Sequence, residues 1–198
     1  MLHTIVSGPP GVGKTELGKI LGKVYKAMGI LSNGEFHIAK RADLIAKYLG
    51  QTAHKTQGFI DKCKGGVMFI DEAYSLGNNE GRDSFAKECL DTLNQELTEN
   101  KNKFICIIAG YKDSLDSSFF KYNEGLKRRF PFVYNIDEYS IEELNLILYK
   151  KIEEYSNNKI YGKNIWNIEF SAKEMENLIK ENYKYFKNQG GDMETIFL

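Results

Sequence analysis

Residues 8–15 read Gly8-Pro9-Pro10-Gly11-Val12-Gly13-Lys14-Thr15, and this stretch decides the fold. It fits the pattern G-x-x-x-x-G-K-[ST] at every specified position. Before it, residues 2–6 alternate polar with apolar side chains, as a short buried strand would. After it, apolar residues recur at three- and four-residue steps, namely Leu17, Ile20, Leu21, Val24 and Met28. This spacing predicts a helix with one buried face, so the loop stands between a strand and a helix.

A glycine-rich loop in that context can close around an anion. Its backbone N–H groups point at phosphate oxygens, and the N-terminus of the following helix adds partial positive charge. Lys14 would carry a point charge to the β- and γ-phosphates, and the Thr15 hydroxyl would ligate Mg²⁺. We therefore predict that the chain binds a nucleoside triphosphate. The predicted nucleotide-binding residues are Pro10, Gly11, Val12, Gly13, Lys14, Thr15 and Glu16. The alternative, a glycine-rich turn that binds nothing, leaves the flanking strand and helix unexplained.

The charge balance limits the classes of partner. The 198 residues carry 27 basic and 27 acidic side chains, so the formal net charge is zero. Neutral charge gives no electrostatic case for nucleic acid or an anionic membrane as the main partner. No apolar run approaches the length of a membrane span and no leader-like segment opens the chain, so we expect a cytoplasmic protein without a membrane partner.

The cysteines and histidines do not indicate a metal site. The three cysteines are widely spaced and form no C-x-x-C pair, which disfavours zinc or a disulfide framework and predicts small core residues. They are Cys63, Cys89 and Cys106. The three histidines are scattered and are expected to pack or to lie on the surface; they are His3, His37 and His54.

Short apolar runs alternate with amphipathic segments along the next part of the chain. Strands are predicted at residues 36–39, 67–70, 104–109 and 132–136, and helices at residues 41–48, 51–64 and 83–97. The runs 67–70 and 104–109 are wholly apolar, which is typical of strands buried on both faces of a parallel sheet. This alternation predicts an α/β fold, a doubly wound parallel sheet with helices on both faces.

From Ser140 onward the pattern is helical only. Capping boxes at residues 140–143 and 171–174 open two apolar-periodic helices, which we expect to run to about residues 155 and 186. We predict a large α/β domain at residues 1–138 and a small helical lid domain at residues 139–198. The first strand begins almost at residue 1, and the helical run 193–198 stops without a cap. We therefore expect the excised core of a longer protein with a truncated lid.

Two carboxylates follow the apolar run 67–70, at the strand end where open α/β sheets place their ligand chemistry. Hydrolysis of a phosphoanhydride needs a metal held against the phosphates, a polarised water and positive charge on the transition state. Asp71 stands where a magnesium carboxylate belongs, and Glu72 can orient and deprotonate the water. A phosphate-loop kinase would not need the adjacent Glu72, which therefore favours hydrolysis. Glu72 and Lys14 are the predicted catalytic residues of this region.

Five stretches together resemble the AAA+ ATPases, within the branch that holds the red-type rubisco activase CbbX and the sporulation protein SpoVK. They are residues 8–15, Arg41-Ala42-Asp43-Leu44, residues 48–56, Gly65-Gly66-Val67-Met68-Phe69-Ile70-Asp71-Glu72-Ala73-Tyr74, and Ile108-Ala109-Gly110-Tyr111. The resemblance covers nearly the whole chain in the right order. It implies a P-loop NTPase core that uses ATP and Mg²⁺.

The resemblance implies further roles. Tyr48-Leu49-Gly50 is similar to the pore loop with which hexameric members grip a polypeptide, and residues 76–82 would form a second pore-facing loop. Arg129 matches the arginine finger that reaches a neighbour's γ-phosphate, and Arg128 is its close competitor. Alternatives stay open for both features: Tyr48 as a buried aromatic at a helix end, and residues 127–129 as a solvated basic turn.

Two positions depart from the family pattern. Gly110-Tyr111 stands where the wider superfamily often carries an asparagine that helps to position water, although the CbbX-like branch shares Gly-Tyr. Glu194 stands where the lid helix normally presents a sensor arginine, so weaker or different nucleotide sensing is expected.

Two functions follow from these residues. The first is a magnesium-dependent ATPase that assembles into a homo-oligomer, a hexameric ring when full length, and remodels or threads a protein client. The second is a nucleotide-switched assembly module with slow hydrolysis. Glu194 in place of the sensor arginine is compatible with this second function. A DNA-handling protein conflicts with the neutral charge and the aromatic pore loop. The client's identity does not follow from the sequence.

Overall fold

The computed structural model describes residues 1–77, 83–121, 124–157 and 172–197. Contacts divide the chain into two units. The first unit contains residues 1–8 and 14–136, and the second contains residues 9–13 and 137–198. Residues 9–13 of the phosphate loop are therefore assigned to the same unit as the C-terminal helices, whereas Lys14 is assigned to the unit that contains the sheet.

The first unit is built on a five-stranded parallel sheet with the order β2-β3-β4-β1-β5. The strands are β1 (Thr4–Ser7), β2 (Phe36–Ala39), β3 (Val67–Ile70), β4 (Ile105–Gly110) and β5 (Phe132–Asn135). Each predicted strand is present within a few residues of its predicted bounds. In the register, Ser7 pairs with Gly110 and Ile70 pairs with Ile108. The carboxyl ends of β1, β3 and β4 therefore reach the same edge of the sheet.

Helices cover both faces of this sheet. They are α1 (Lys14–Ala27), α2 (Arg41–Leu44), α3 (Thr52–Lys62), α4 (Ser84–Glu99), α5 (Lys112–Ser114) and α6 (Glu124–Lys127). A 3₁₀ turn (Ala73–Leu76) follows β3, and a π-helical turn (Leu115–Phe119) continues α5.

Alternate residues of the central strands supply two separate cores. Met68 and Ile70 pack on the side of α3 and α4, whereas Val67 and Phe69 pack on the side of α1. Side chains of a strand alternate between its faces, so a wholly apolar strand needs a covering layer on each side. The predicted doubly wound α/β fold is confirmed.

The buried face of α1 differs in part from the prediction: Leu17 and Leu21 pack against the sheet core as predicted, but the other three residues do not. Ile20, Val24 and Met28 are 55%, 44% and 66% exposed, while Gly18 and Gly22 are buried. A Cβ atom on Gly18 would lie 2.9 Å from the Phe69 ring, so the helix approaches the sheet through its glycines. The prediction was based on the spacing of apolar side chains. Glycine has no side chain, so that spacing could not show that Gly18 and Gly22 form the contact with the sheet.

The helix predicted at residues 41–48 is wrong beyond Leu44. Ile45 is extended (φ −93°, ψ 132°), and its carbonyl accepts a hydrogen bond from Lys55 Nζ (3.0 Å). Thr56 Oγ1 likewise donates to the Leu44 carbonyl (3.0 Å). Side chains of α3 thus satisfy carbonyls that would otherwise need helical N–H partners, and the chain leaves the helix early.

Besides a 3₁₀ turn, the second unit contains three α-helices in its described residues: α7 (Ile141–Asn157), α8 (Ala172–Asn182) and α9 (Gly190–Phe197). Its core is formed by Leu144, Leu148, Met175, Ile179 and Met193. The capping box at Ser140 is confirmed: Ser140 N donates to Glu143 Oε2 (2.8 Å), and Glu143 N donates to Ser140 Oγ (3.2 Å). The second predicted capping box begins at Ser171, which lies outside the described residues. Its α-helix ends at Asn182 and continues as a 3₁₀ turn (Tyr183–Tyr185), close to the predicted end.

The predicted core cysteines are confirmed. Cys63, Cys89 and Cys106 are all buried, and burial raises the pKa of the Cys89 thiol to about 11. His3 is also buried. In the part of the chain that the structure describes, no helix is long and apolar enough to cross a membrane.

Candidate active site

The site lies at the carboxyl edge of the sheet. Strand β4 lies between β1 and β3, and the segments that carry Lys14 and Asp71 leave this edge from β1 and β3. Neighbouring strands are about 4.8 Å apart, so the two outer strands are separated by about 10 Å. Gly110 and Tyr111, at the end of β4, occupy the space between them.

Lys14 and the two carboxylates are close enough to interact. The Lys14 ammonium donates to the Gly8 carbonyl (3.0 Å) and lies 5.7 Å from the centre of the Tyr111 ring. Burial lowers the pKa of Lys14, and the charges of Asp71 and Glu72 oppose that shift. The structure therefore brings together three of the predicted site residues, one cation and two anions.

The loop backbone requires glycine at two positions. Gly11 and Gly13 have φ of +72° and +84°, a region that side chains rarely adopt. Within the second unit, a Cβ atom on Gly11 would lie 1.6 Å from the Asn188 carbonyl oxygen, and the Tyr139 hydroxyl donates to the Val12 carbonyl (2.8 Å). Gly11 is therefore constrained both by its conformation and by its neighbour.

The other predicted nucleotide contacts are accessible to different degrees. Pro10 and Thr15 are half-buried, Thr15 in the first turn of α1. Glu16 is exposed and pairs with Lys19 (2.7 Å). A solvent-facing ion pair of this kind contributes little to stability.

Glu72 has a left-handed backbone conformation, with φ 48° and ψ 46°. For a residue with a side chain this costs about 1–2 kcal/mol. The strain is held by local hydrogen bonds: Glu72 N donates to Asp71 Oδ1 (3.0 Å), and Ser75 N donates to the Glu72 carbonyl (2.7 Å). The turn separates Asp71, half-buried at the strand end, from the exposed Glu72.

The structure does not bring Arg128 or Arg129 to this edge. Both lie in the turn before β5, whose first residue, Phe132, pairs with the first residue of β1. The turn is therefore at the amino edge of the sheet, and β5 alone separates the two edges by roughly 10 Å. Arg129 Nε donates to Thr98 Oγ1 (2.9 Å) at the end of α4, and Arg128 is exposed. Neither arginine lies beside this chain's own Lys14.

The predicted pore-loop residues lie in the irregular segment between α2 and α3. Tyr48 and Leu49 are 69% and 75% exposed, and Gly50 has φ of +76°. The alternative of a buried helix-end aromatic is therefore wrong for Tyr48. Of the predicted second pore loop, residues 78–82 lie outside the described residues, as does the side chain of Glu194.

The sequence profile described as "ATPase family associated with various cellular activities (AAA)" matches residues 4–137. The chain belongs to the AAA ATPase family. Membership confirms the predicted enzyme class, an ATP-hydrolysing P-loop protein.

Curated relatives support the predicted branch of the AAA family. A cfxQ-like protein of Acanthamoeba polyphaga mimivirus is 44% identical over 200 residues, which cover 99% of this chain and 46% of that protein. Stage V sporulation protein K of Bacillus subtilis is 42% identical over 153 residues, covering 77% of this chain and 47% of that protein. The chain thus spans about half the length of these relatives.

A solved structure supports the AAA fold. The AAA domain of FIGL-1 in complex with ADP superposes with a TM-score of 0.64 at 18% sequence identity, over 96% of this chain and 57% of that chain. At this identity the likeness concerns the fold alone.

Two aromatic residues lie beside the AAA site, and neither was assigned to it from the sequence. Burial, followed by the neighbouring Glu72, raises the pKa of the Tyr74 hydroxyl, and the Tyr74 ring lies 6.0 Å from that of Tyr111. Tyr111 was noted from the sequence only as part of Gly110-Tyr111, at the place of a water-positioning asparagine, and Tyr74 was given no role. Only its position directly after Asp71-Glu72-Ala73 could have drawn attention to Tyr74.

Proposed function

We propose that this chain is the magnesium-dependent catalytic core of a ring-forming AAA ATPase that acts on a protein client. The main support is the separation of the charged groups in the first unit. Lys14, Asp71 and Glu72 gather at the carboxyl edge of the sheet, while Arg128 and Arg129 lie at the amino edge. Such a core can hold and activate a nucleotide, and neither of the two candidate finger arginines lies at its own site.

The donor set at the carboxyl edge suits Mg²⁺. Among the described residues, no group of three or more His, Cys, Asp or Glu could hold a metal. Magnesium in nucleotide sites uses few protein ligands, one or two carboxylates together with waters and phosphate oxygens. The Thr15 hydroxyl and the Asp71 carboxylate would supply the protein share. The bound ion would neutralise charge that develops on the phosphates.

Different residues would then bind the phosphates and activate the water. Lys14 holds the β- and γ-phosphate oxygens, assisted by the loop backbone at residues 10–13 and by Thr15 and Glu16 at the start of α1. Glu72 is exposed and accepts a proton from the attacking water. Burial of Lys14 strengthens its attraction for phosphate because fewer waters compete for the ammonium group.

Arg129 would complete the site of a neighbouring copy. A guanidinium is planar and permanently charged, which suits the transition-state phosphate oxygens. Since the amino edge of one sheet cannot reach its own carboxyl edge, the contact requires a head-to-tail arrangement, and such arrangements close into rings. Arg128, in the same turn, is the competing candidate. A hexamer is the ring size that the family resemblance implies.

Tyr48 and Leu49 would contact the client. Large apolar side chains at this level of exposure gain from binding another apolar surface, and an aromatic ring contacts apolar groups of many polypeptide sequences. In this proposal the partner that binds residues 48–50 is a protein rather than nucleic acid or a membrane.

Glu72→Gln tests the hydrolytic role. Glutamine keeps the size and a hydrogen-bonding oxygen but cannot accept the proton, so we expect ATP turnover to fall about 10²- to 10⁴-fold while ATP affinity is retained. Turnover would be measured by phosphate release and affinity by titration with a fluorescent nucleotide. Glu176→Gln, on the exposed face of α8, is the matched control and should behave as wild type.

The same experiment separates the two candidate functions. Equal turnover in wild type and Glu72→Gln would contradict the enzymatic proposal. It would leave a nucleotide-switched assembly module, in which ATP binding rather than hydrolysis changes the assembly.

A further inference from the structure

Strand β5 forms one outer edge of the sheet and is exposed along its whole length. Phe132, Val133 and Tyr134 are 39%, 58% and 43% exposed. Among the described residues, β1 is the only strand that pairs with β5. Edge strands of natural proteins usually carry charged residues or are covered, because an exposed apolar edge pairs readily with another strand. Three adjacent apolar and aromatic residues on such an edge indicate a contact with another chain.

The backbone of Val133 points away from β1. Ile136 N donates to the Ser7 carbonyl (2.8 Å), so the backbone N–H of Ile136 and, two residues earlier, the backbone groups of Tyr134 face β1. Backbone groups of successive residues in a strand point to opposite edges. The N–H and C=O of Val133 therefore face the outer edge, where a second strand can form hydrogen bonds with them.

The charges before and after β5 have opposite signs. The basic run 127–129 precedes the strand, and Asp137-Glu138 follows it. Arg128, Asp137 and Glu138 are exposed. A strand with a basic beginning and an acidic end is complementary to a copy of itself that runs in the opposite direction. Parallel pairing of two copies would instead place like charges together.

We propose that the outer edge of β5 binds β5 of a second copy of this chain, antiparallel and across a two-fold axis, with Val133 opposite Val133. The two Val133 residues exchange two hydrogen bonds at the centre. Phe132 of one copy faces Tyr134 of the other, a cross-strand aromatic pair of the kind that stabilises sheets. Pro131 faces Asn135 and contributes only its carbonyl, because proline has no N–H. This inference goes beyond the proposed function and does not depend on ATP hydrolysis.

The charged residues favour this register over its neighbours. With Val133 opposite itself, Arg129 of each copy faces Asp137 of the other, and Arg128 faces Glu138. Each of these pairs occurs twice because of the two-fold symmetry. In the registers shifted by two residues in either direction, which also align outward-facing backbone groups, Glu138 faces an apolar residue. Only the central register gives both carboxylates a cationic partner.

The contact is small, so we expect a weak and reversible dimer. Stable protein interfaces bury about 1,200–2,000 Å² in total, which is more than two four-residue strands share along one edge. The dissociation constant should therefore lie in the micromolar range. Added salt should raise it, because exposed ion pairs are screened.

A cysteine at position 133 tests the strand pair. The three native cysteines are buried, and opposite residues of a hydrogen-bonded antiparallel pair have Cα atoms about 5.5 Å apart, which a disulfide can span. The full chain with Val133→Cys should therefore form a covalent dimer with oxidised glutathione in the absence of nucleotide. Ile38→Cys, at a residue 43% exposed in the other edge strand β2, is the matched control and should remain monomeric. In a head-to-tail contact the same residue of two copies does not meet, so a disulfide at position 133 reports the two-fold contact.

Charge reversal tests the register. Glu138→Arg places two arginines opposite each other at two symmetric positions, so the affinity of the dimer should fall about 5- to 30-fold. Adding Arg128→Glu reverses both members of the pair and should restore most of the affinity. Sedimentation at a series of protein concentrations without nucleotide measures the change, and melting temperatures check that each variant is folded. Glu176→Arg, on the exposed face of α8, is the control and should dimerise as wild type.

Three results would overturn the proposal. Val133→Cys that forms no more disulfide-linked dimer than Ile38→Cys would exclude the pairing of two β5 strands. A dimer whose affinity is unaffected by Glu138→Arg would exclude the register. Failure of Arg128→Glu to restore the affinity lost in Glu138→Arg would show that these two residues do not face each other.

Discussion

His3 is a titratable side chain placed inside the core. Its Nδ1 accepts a hydrogen bond from Cys106 N (2.9 Å), and its ring lies 5.7 Å from Phe104 and 6.0 Å from Phe130. Burial lowers its pKa from 6.5 to about 4, although the neighbouring Leu97 backbone opposes the shift. In the folded chain the imidazole is therefore neutral at mildly acidic pH.

This shift makes stability depend on pH. Between pH 6.5 and pH 4 the unfolded chain binds a proton at His3 that the folded chain does not, so stability falls as pH decreases. From pH 7 to pH 5 the loss from this group is about 2 kcal/mol. His3→Asn keeps an acceptor near Cys106 N but cannot titrate. Urea unfolding at both pH values should show a smaller decrease for His3→Asn than for wild type, and equal decreases would contradict the assignment.

The sequence predicted those site residues whose chemistry is tied to a motif. Lys14, Asp71 and Glu72 each follow a recognisable strand and have a defined position relative to it. Tyr74 was not predicted, because the position of its ring depends on Gly110, which is distant in sequence and leaves room for the ring. Such a contact arises from the pairing of strands rather than from local spacing.

At the scale of single elements, the sequence predicted strands more accurately than helix faces. A continuous apolar run has only one arrangement in a parallel sheet, burial on both faces. The face of α1 is instead decided by how closely the helix approaches the sheet. The two glycines at its contact permit an approach that larger residues would prevent, and this leaves Ile20, Val24 and Met28 exposed.

Gly18→Ala tests that packing. Alanine has the higher helix propensity, but its Cβ would lie 2.9 Å from the Phe69 ring. We expect a net loss of about 1–3 kcal/mol in the free energy of unfolding, because overpacking of the core outweighs propensity. Denaturant unfolding measures it.

Gly58→Ala is the matched control within α3. No atom lies within 4 Å of a Cβ atom placed there, and the position is exposed. The same substitution should therefore stabilise the chain by about 0.5–1 kcal/mol. A stabilising Gly18→Ala would show that the helix has room to move away from the sheet, contrary to the packing described.

At the scale of the whole molecule, the charged groups that we propose for hydrolysis lie at opposite edges of one sheet. The proposed base Glu72 and the proposed phosphate-binding Lys14 lie at one edge, and Arg128 and Arg129 lie at the other. The formal net charge is zero, so no long-range repulsion between copies opposes their assembly. A head-to-tail assembly is the arrangement that would bring the two edges together.

The measurement that tests this account most directly is ATP turnover by a mixture of two inactive variants. Glu72→Gln retains Arg129 but lacks the base, while Arg129→Ala retains the base but lacks the finger. At a concentration where wild type is active, each variant alone should hydrolyse ATP slowly. In an equal mixture, about a quarter of head-to-tail interfaces would join an intact base to an intact arginine, so activity should recover well above that of either variant. Turnover in the mixture no higher than the average of the two variants, with wild type active, would contradict a site shared between neighbouring copies.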